Sequence, residues 1–457
     1  MSNKEDINQL IESGFDINSK NNNGITLLHE FAIEGNLKGV KSLLEHEVDF
    51  NAVDTEHRNS LHYAVIHRHK KIAKLLISKL TVNSKDKNGF TPLHLAILQD
   101  DIEMINLLIE NGAKVNVHNL LEGYTPLHIA SLYGSKKSVQ ILINKGANSE
   151  SKDNNSHTPL FSLVFEYAIH CKSRMEILEY LIKQGANIYA KDAEDNTILF
   201  LAVYNNQIQI VKFIAKKLDQ AKFKELVAVK NKQGFDPLDC VVENNNEKMM
   251  KFFISKGITL NDSNSIKLHK ASYTGNLEAV KLLLKFKFNV NALTKCGKTS
   301  LHLAAKKGHI EVIKILLGYK INMNIRDSYG YTALHVAIQN NHFNITQLLI
   351  IEGADINIKC NNNYTPIELL IKQSCNKEKI YEKFHRFLIF YFAEQHNRYK
   401  GHHILIMLAL SATIIGLPFV LRLIAQYREK TKIYQEIKEK LESCVFSHSV
   451  QNMVDQE

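Results

Sequence analysis

An all-α solenoid, made of short helix pairs stacked side by side, is the fold class this sequence predicts, with a single transmembrane helix following it near the C-terminus. Three observations predict the solenoid. A Thr-Pro-Leu-His core recurs along most of the 457 residues, two apolar helical faces follow each core, and glycine or Asn/Asp-rich turns separate one copy from the next.

The stretch from Phe90 to Asn116 carries the pattern most completely. Thr91 suits a helix N-cap, where its hydroxyl accepts a free first-turn N–H. Pro92 follows at the first helical position, where its missing N–H is no loss. Leu93, Ala96 and Ile97 make one apolar face; Ile105, Leu108 and Ile109 make a second at i, i+3, i+4 spacing. Gly112 stands just past the second helix, where a left-handed cap favours glycine. Two helices this short cannot bury their faces alone, so copies must stack.

With the core histidine as reference, His29, His62, His94 and His128 lie 33, 32 and 34 residues apart, and His269, His302 and His335 recur at 33. Between the two runs the core weakens to Thr158-Pro159-Leu160-Phe161, Thr197-Ile198-Leu199-Phe200 and Asp236-Pro237-Leu238-Asp239, and a last copy is Thr365-Pro366-Ile367-Glu368. This pattern resembles the ankyrin repeat, whose core is T-P-L-H-x-A on a period of 33. The resemblance covers residues 5 to 372, in about eleven helix-turn-helix copies after an N-terminal half-repeat at 7–18. It implies an ankyrin-repeat solenoid that binds a protein partner. The turn-bracing bonds the family assigns to the histidine are in question where Phe161, Phe200 and Asp239 replace it.

Steps of 39 residues on either side of Phe200 predict insertions at 165–174 and 218–229. The step from Asp239 to His269 is short, and the usual loop is missing around 258–265, which predicts a bend or break into two stacks. The expected organisation is a first stack at 1–257, a second at 258–375, a helical linker at 376–403, a transmembrane helix at 404–425 and a charged helical tail at 426–457.

The C-terminal reading rests on Ile404 to Leu421, eighteen residues without a charge. As a helix they reach ~27 Å, close to a hydrocarbon core of ~30 Å. Leu423-Ile424-Ala425 extend the span if Arg422 snorkels. Tyr399 and Tyr427 flank it as an aromatic belt would, and Gly416 with Pro418 predicts a kink that membrane helices tolerate. The competing reading is a buried helix closing the solenoid. In the tail, Ile433, Ile437 and Leu441 make a one-sided stripe. A single-pass membrane protein with the repeat array in the cytosol is the expected localisation.

The net charge is +10, but lysines occur in every repeat and alternate with Glu and Asp, so no nucleic-acid partner is expected. Six scattered cysteines without C-x-x-C spacing predict neither a disulfide framework nor a zinc site. The first residues contain no apolar run of the secretory-signal kind. His67-His69 and His402-His403 have no third ligand at metal spacing, and no H-E-x-x-H, G-x-S-x-G or P-loop occurs. Asp54, Asp86, Asp153, Asp192 and Asp327 fall in loops, where Asx turns use them. No catalytic residue, cofactor, metal or small-molecule substrate is therefore expected.

In ankyrin-like stacks the partner face is formed by the hairpin tips and the exposed side of each first helix. Carried onto this chain, that face includes the aromatics preceding the capping residue, Phe90, Tyr124, Phe235, Tyr331 and Tyr364. It also includes the freely varying helix-end positions Leu98, Gln99, Leu132, Tyr133, Lys306, Lys307, Gln339 and Asn340. Exposed Leu98, Leu132 and Tyr133 together would form an apolar contact patch. The expected function is a non-enzymatic scaffold or adaptor tethered to a membrane through Ile404 to Ala425, similar to ankyrin proteins of intracellular bacteria that engage host proteins. An oligomeric transport or channel component with an ankyrin sensor, or a soluble adaptor, would be the alternatives.

Overall fold

The structure, a computed structural model, describes residues 9, 12–77, 82–165, 173–258, 265–366 and 368–369. The segment 404–425, the linker before it and the tail after it lie outside the described residues, as do 166–172 and 259–264. Among the described residues there are twenty α-helices, and no helix is long and apolar enough to cross a membrane.

The chain divides into two compact units, Met1–Ile258 and Thr259–Glu457. The first holds the pairs α1 (Leu27–Glu34) and α2 (Leu37–Leu43), α3 (Ser60–Ile66) and α4 (Lys70–Leu76), α5 (Pro92–Leu98) and α6 (Ile102–Glu110), and α7 (Pro126–Tyr133) and α8 (Lys136–Asn144). A 3-10 turn, Phe161–Val164, then stands where a first helix is expected and is followed by α9 (Arg174–Lys183). After it come α10 (Ile198–Tyr204), α11 (Ile208–Lys217), α12 (Gln220–Val227), α13 (Pro237–Glu243) and α14 (Glu247–Ser255). The second unit holds α15 (Ser265–Thr274) and α16 (Leu277–Lys285), α17 (Ser300–Lys307) and α18 (Ile310–Leu317), and α19 (Ala333–Gln339) and α20 (Phe343–Ile351).

Within a unit, first helices pack on first helices and second on second. The core leucines carry this stacking: Leu93, Leu127 and Leu301 are fully buried and Leu334 is 1% exposed. Each contributes about 1.5–3 kcal/mol by leaving water. The insertion at 218–229 is α12, capped by the Asp219 side chain and anchored by Phe223, whose ring meets those of Phe252 and Phe253.

Every pair turns sharply between its helices. Gly35, Gly134, Gly275 and Gly308 supply the left-handed residue in four copies, with φ between 75° and 83°. At Gly35, Gly275 and Gly308 a Cβ would strike the imidazole of His69, His309 and His342, the residue opening the next copy's second helix. Arg68, Asp100, Asn206, Asn245 and Asn341 adopt the same conformation without being glycine, a strain of about 1–2 kcal/mol each.

Candidate partner-binding surface

The loops and first helices are held rigid by two repeated side-chain devices. The first is the core histidine. In α5 the Thr91 backbone N–H donates to His94 Nδ1 at 3.1 Å and the Thr91 hydroxyl lies 2.9 Å from the same nitrogen. The same contacts recur at Thr26/His29, Thr125/His128, Thr299/His302 and Thr332/His335. The far nitrogen leaves the copy. Nε2 of His29, His62, His128, His302 and His335 reaches the carbonyl of Arg58, Phe90, His157, Tyr331 and Tyr364, at 2.9 to 3.3 Å. His94 and His269 instead reach the carbonyls of Val117 and Ala292.

A backbone N–H needs an acceptor and a carbonyl needs a donor, so Nδ1 is bare and Nε2 carries the hydrogen. The ring is neutral. Burial pushes His62, His94 and His128 from 6.5 down to about 4, the carbonyl bonds offsetting only part of the effect. Burial lowers His29, His269, His302 and His335 likewise.

Where an acid replaces the histidine half of the device survives, and where Phe161 or Phe200 replaces it the side chain offers the capping N–H no acceptor. The Asp239 carboxylate accepts from the Asp236 N–H at 2.9 Å, and Glu368 accepts from the Thr365 N–H at 2.7 Å. Both acids close the cap of their own copy as the histidine does.

The second device is the loop aspartate. In Asp54, Asp86, Asp153, Asp192 and Asp327, Oδ1 accepts the N–H groups two and four residues on, at 2.8 to 3.0 Å. The turn reading of these residues is what the loops show. Their second oxygens face further polar side chains: Arg58 stands 3.7 Å from Asp86, Lys298 3.9 Å from Asp327, and the His157 ring lies between Asp153 and Asp192.

On this frame the predicted partner residues separate. Phe90, Tyr124, Tyr331 and Tyr364 are half-buried. The first three set their rings 5.6 to 5.7 Å from His94, His128 and His335 of their own copies. Leu98 and Tyr133 are exposed, at 37% and 62%, but Leu132 is buried at 8%. That corrects the expected three-residue patch: consecutive helical residues point about 100° apart, so Tyr133 faces out and Leu132 faces in. Gln99 is half-buried and donates to the Ile66 carbonyl at 2.7 Å, tying two copies together. Lys306, Lys307 and Gln339 are exposed, while Asn340 is half-buried with its amide on the Val336 carbonyl.

Sequence reasoning missed exposed Tyr204, Tyr273 and Tyr329, and the exposed pair Leu120-Leu121. The signal for the pair was the interval of 34 before His128, one residue longer than the period of 33, at a hairpin otherwise made of polar residues. It also missed a segregation of charge. The first helices of the first unit contain no Lys or Arg; α15 and α17 in the second unit contain Lys267, Lys270, Lys306 and Lys307 and no acid. Among the described residues no group of three or more His, Cys, Asp or Glu is placed to hold a metal ion.

Helix pairs on this period, locked histidine to carbonyl and turned on buried aspartates, define an ankyrin-type solenoid. A model of three ankyrin-repeat copies matches residues 1–86, 77–153, 116–192, 165–264 and 268–360, and the chain belongs to the ankyrin-repeat family. It is similar to serine/threonine-protein kinase 12 of Arabidopsis thaliana, 34% identical over 107 residues, 23% of this chain and 22% of the kinase. It is similar to a putative ankyrin repeat protein of Rickettsia bellii, 33% identical over 81 residues, 18% of this chain and 50% of that protein. Human inversin is 30% identical over 111 residues, 24% of this chain and 10% of inversin. The chain thus spans half or less of these relatives. Among solved structures, the ankyrin repeat domain of Bcl-3 is similar with a TM-score of 0.40 and 24% identity, over 43% of this chain and 86% of that domain.

Proposed function

We propose that this ankyrin array is a protein-binding scaffold without chemistry of its own, tethered to a membrane through Ile404 to Ala425 and displayed in the cytosol. The observation that carries the scaffold reading is the contrast between locked and free positions. Buried Thr, His, Asp and Leu recur from copy to copy, while the exposed first-helix ends change from Leu98 to Tyr204 to Lys306 to Gln339. A frame that repeats and a surface that varies is what specific recognition of another protein requires. The uncharged eighteen-residue run supports the tether. The proposal extends to an effector-like role toward host proteins.

Alkaline extraction of native membranes tests the tether: the full chain should stay in the pellet and a chain ending at residue 400 should enter the supernatant. Proximity labelling with the same two chains tests the scaffold. Both should label a common set of proteins, and labelling no stronger than that of an unrelated cytosolic control would end the scaffold reading.

A further inference from the structure

The charge on the second unit narrows the kind of partner. Residues 265–366 carry thirteen Lys or Arg against five Asp or Glu. Of those acids, Asp327 is buried in its turn, and Glu278 and Glu311 pair with Lys281 and Lys314 on the second helices. Glu352 and Asp355 are exposed but follow α20, whereas the end of α17 and the hairpins feeding α17 and α19 expose only positive charge: Lys306 and Lys307 on α17, Lys295 before it and Arg326 before α19. Lys295, Lys306 and Lys307 have no carboxylate partner among the described residues. Lys307 is nonetheless positioned, its ammonium 4.6 Å from the Tyr273 ring, and together with Lys306 it holds the Tyr273 hydroxyl below its usual pKa.

We propose that the face of the second unit bearing Tyr273, Lys306, Lys307, Lys295 and Arg326 binds an acidic segment of a partner protein. The proposal rests on the scaffold reading above and names its ligand. Excess charge of one sign with no internal counter-charge is the electrostatic complement of an acidic chain. Exposed aliphatics in the same unit favour protein over nucleic acid. Leu293, beside the lysine hairpin, is 54% exposed and Ile266 on α15 is 62% exposed. Such side chains can take up a partner's apolar groups and have no use against phosphates, which are bound by Arg, Lys and hydroxyls. The first unit, with no basic residue on its first helices, lacks this preference.

The test uses the full chain in mild detergent and a fluorescent Glu/Asp-rich peptide with interspersed leucines. Probes of the same length in Gln/Asn form, a single-stranded oligonucleotide and phosphatidylserine vesicles run beside it. The acidic peptide should bind in a salt-sensitive way, better than every other probe. The double variant Lys306→Glu/Lys307→Glu should weaken it about tenfold. The charge-matched Lys212→Glu/Lys216→Glu on α11 should leave it unchanged, with helical circular dichroism equal in all three proteins. Equal loss in both variants would reduce the effect to net charge and overturn the proposal, as would preference for the oligonucleotide or the vesicles. No binding of the acidic peptide, with protein labelling by the array intact, would overturn the proposal and leave the scaffold standing.

Discussion

His302 donates from Nε2 to the carbonyl of Tyr331 at 2.9 Å while its other nitrogen caps its own helix, so one neutral ring closes two copies at once. His302→Ala leaves the Thr299 N–H and the Tyr331 carbonyl without this partner, at about 1–3 kcal/mol for each buried group. Urea unfolding followed by circular dichroism should move to lower midpoint by a corresponding amount. His302→Asn, long enough to reach Thr299 but not Tyr331, should recover only part of it.

Acid should loosen the array. His62, His94 and His128 titrate at about 4 when folded and at 6.5 when free. The unfolded chain therefore binds more protons between those limits, and stability falls as pH drops from 6.5 towards 4. Each of the three removes up to about 1.4 kcal/mol per pH unit within that window. Thermal melts across it should decline steadily; a flat profile would contradict buried neutral imidazoles.

The loop aspartates make a sharper test of turn chemistry. Asp86→Ala deletes the acceptor for the N–H groups of Asn88 and Phe90 and removes the charge facing Arg58. A loss of about 2–4 kcal/mol is expected, while Asp86→Asn, which keeps the acceptor oxygen, should lose less than half of that. Hydrogen exchange at Asn88 and Phe90 should report the difference locally.

Two residues with the same strained backbone should respond oppositely to glycine. Asn341, at φ 59°, makes no side-chain hydrogen bond to another described residue, and Asn341→Gly should gain about 0.5–1 kcal/mol. Asp100, at φ 51°, accepts from the hydroxyls of Ser135 and Ser138 in the next copy. Asp100→Gly should therefore lose stability despite the relief of strain. Paired denaturation curves compare the signs directly.

The frame was legible because its physics is local. A capping threonine, a proline at the first helical turn and an Asx aspartate each act within four residues, and the period then stacks the copies. The surface was less legible. Leu132 and Tyr133 differ only by one step of helical rotation, which spacing alone does not assign to inside or outside. Asp239 reads as a broken core because histidine was the expected cap, although a carboxylate, there as at Glu368, accepts the same N–H. The lysine bias of α15 and α17 disappears in a chain-wide sum, since second helices and loops carry lysine throughout. It emerges only once the helices are sorted by the layer they occupy.

Because the histidine bonds run from one copy to its neighbour, a copy inside a run of histidine-bearing copies is gripped on two sides and a copy at the edge of that run on one. Tension applied along the chain would accordingly meet least resistance at the edge and strip copies in sequence, each release paying out slack before the next bond is loaded. The ladder of imidazoles thus makes the copies that carry it a series of breakaway links, yielding in steps where a globular core would fail in a single event.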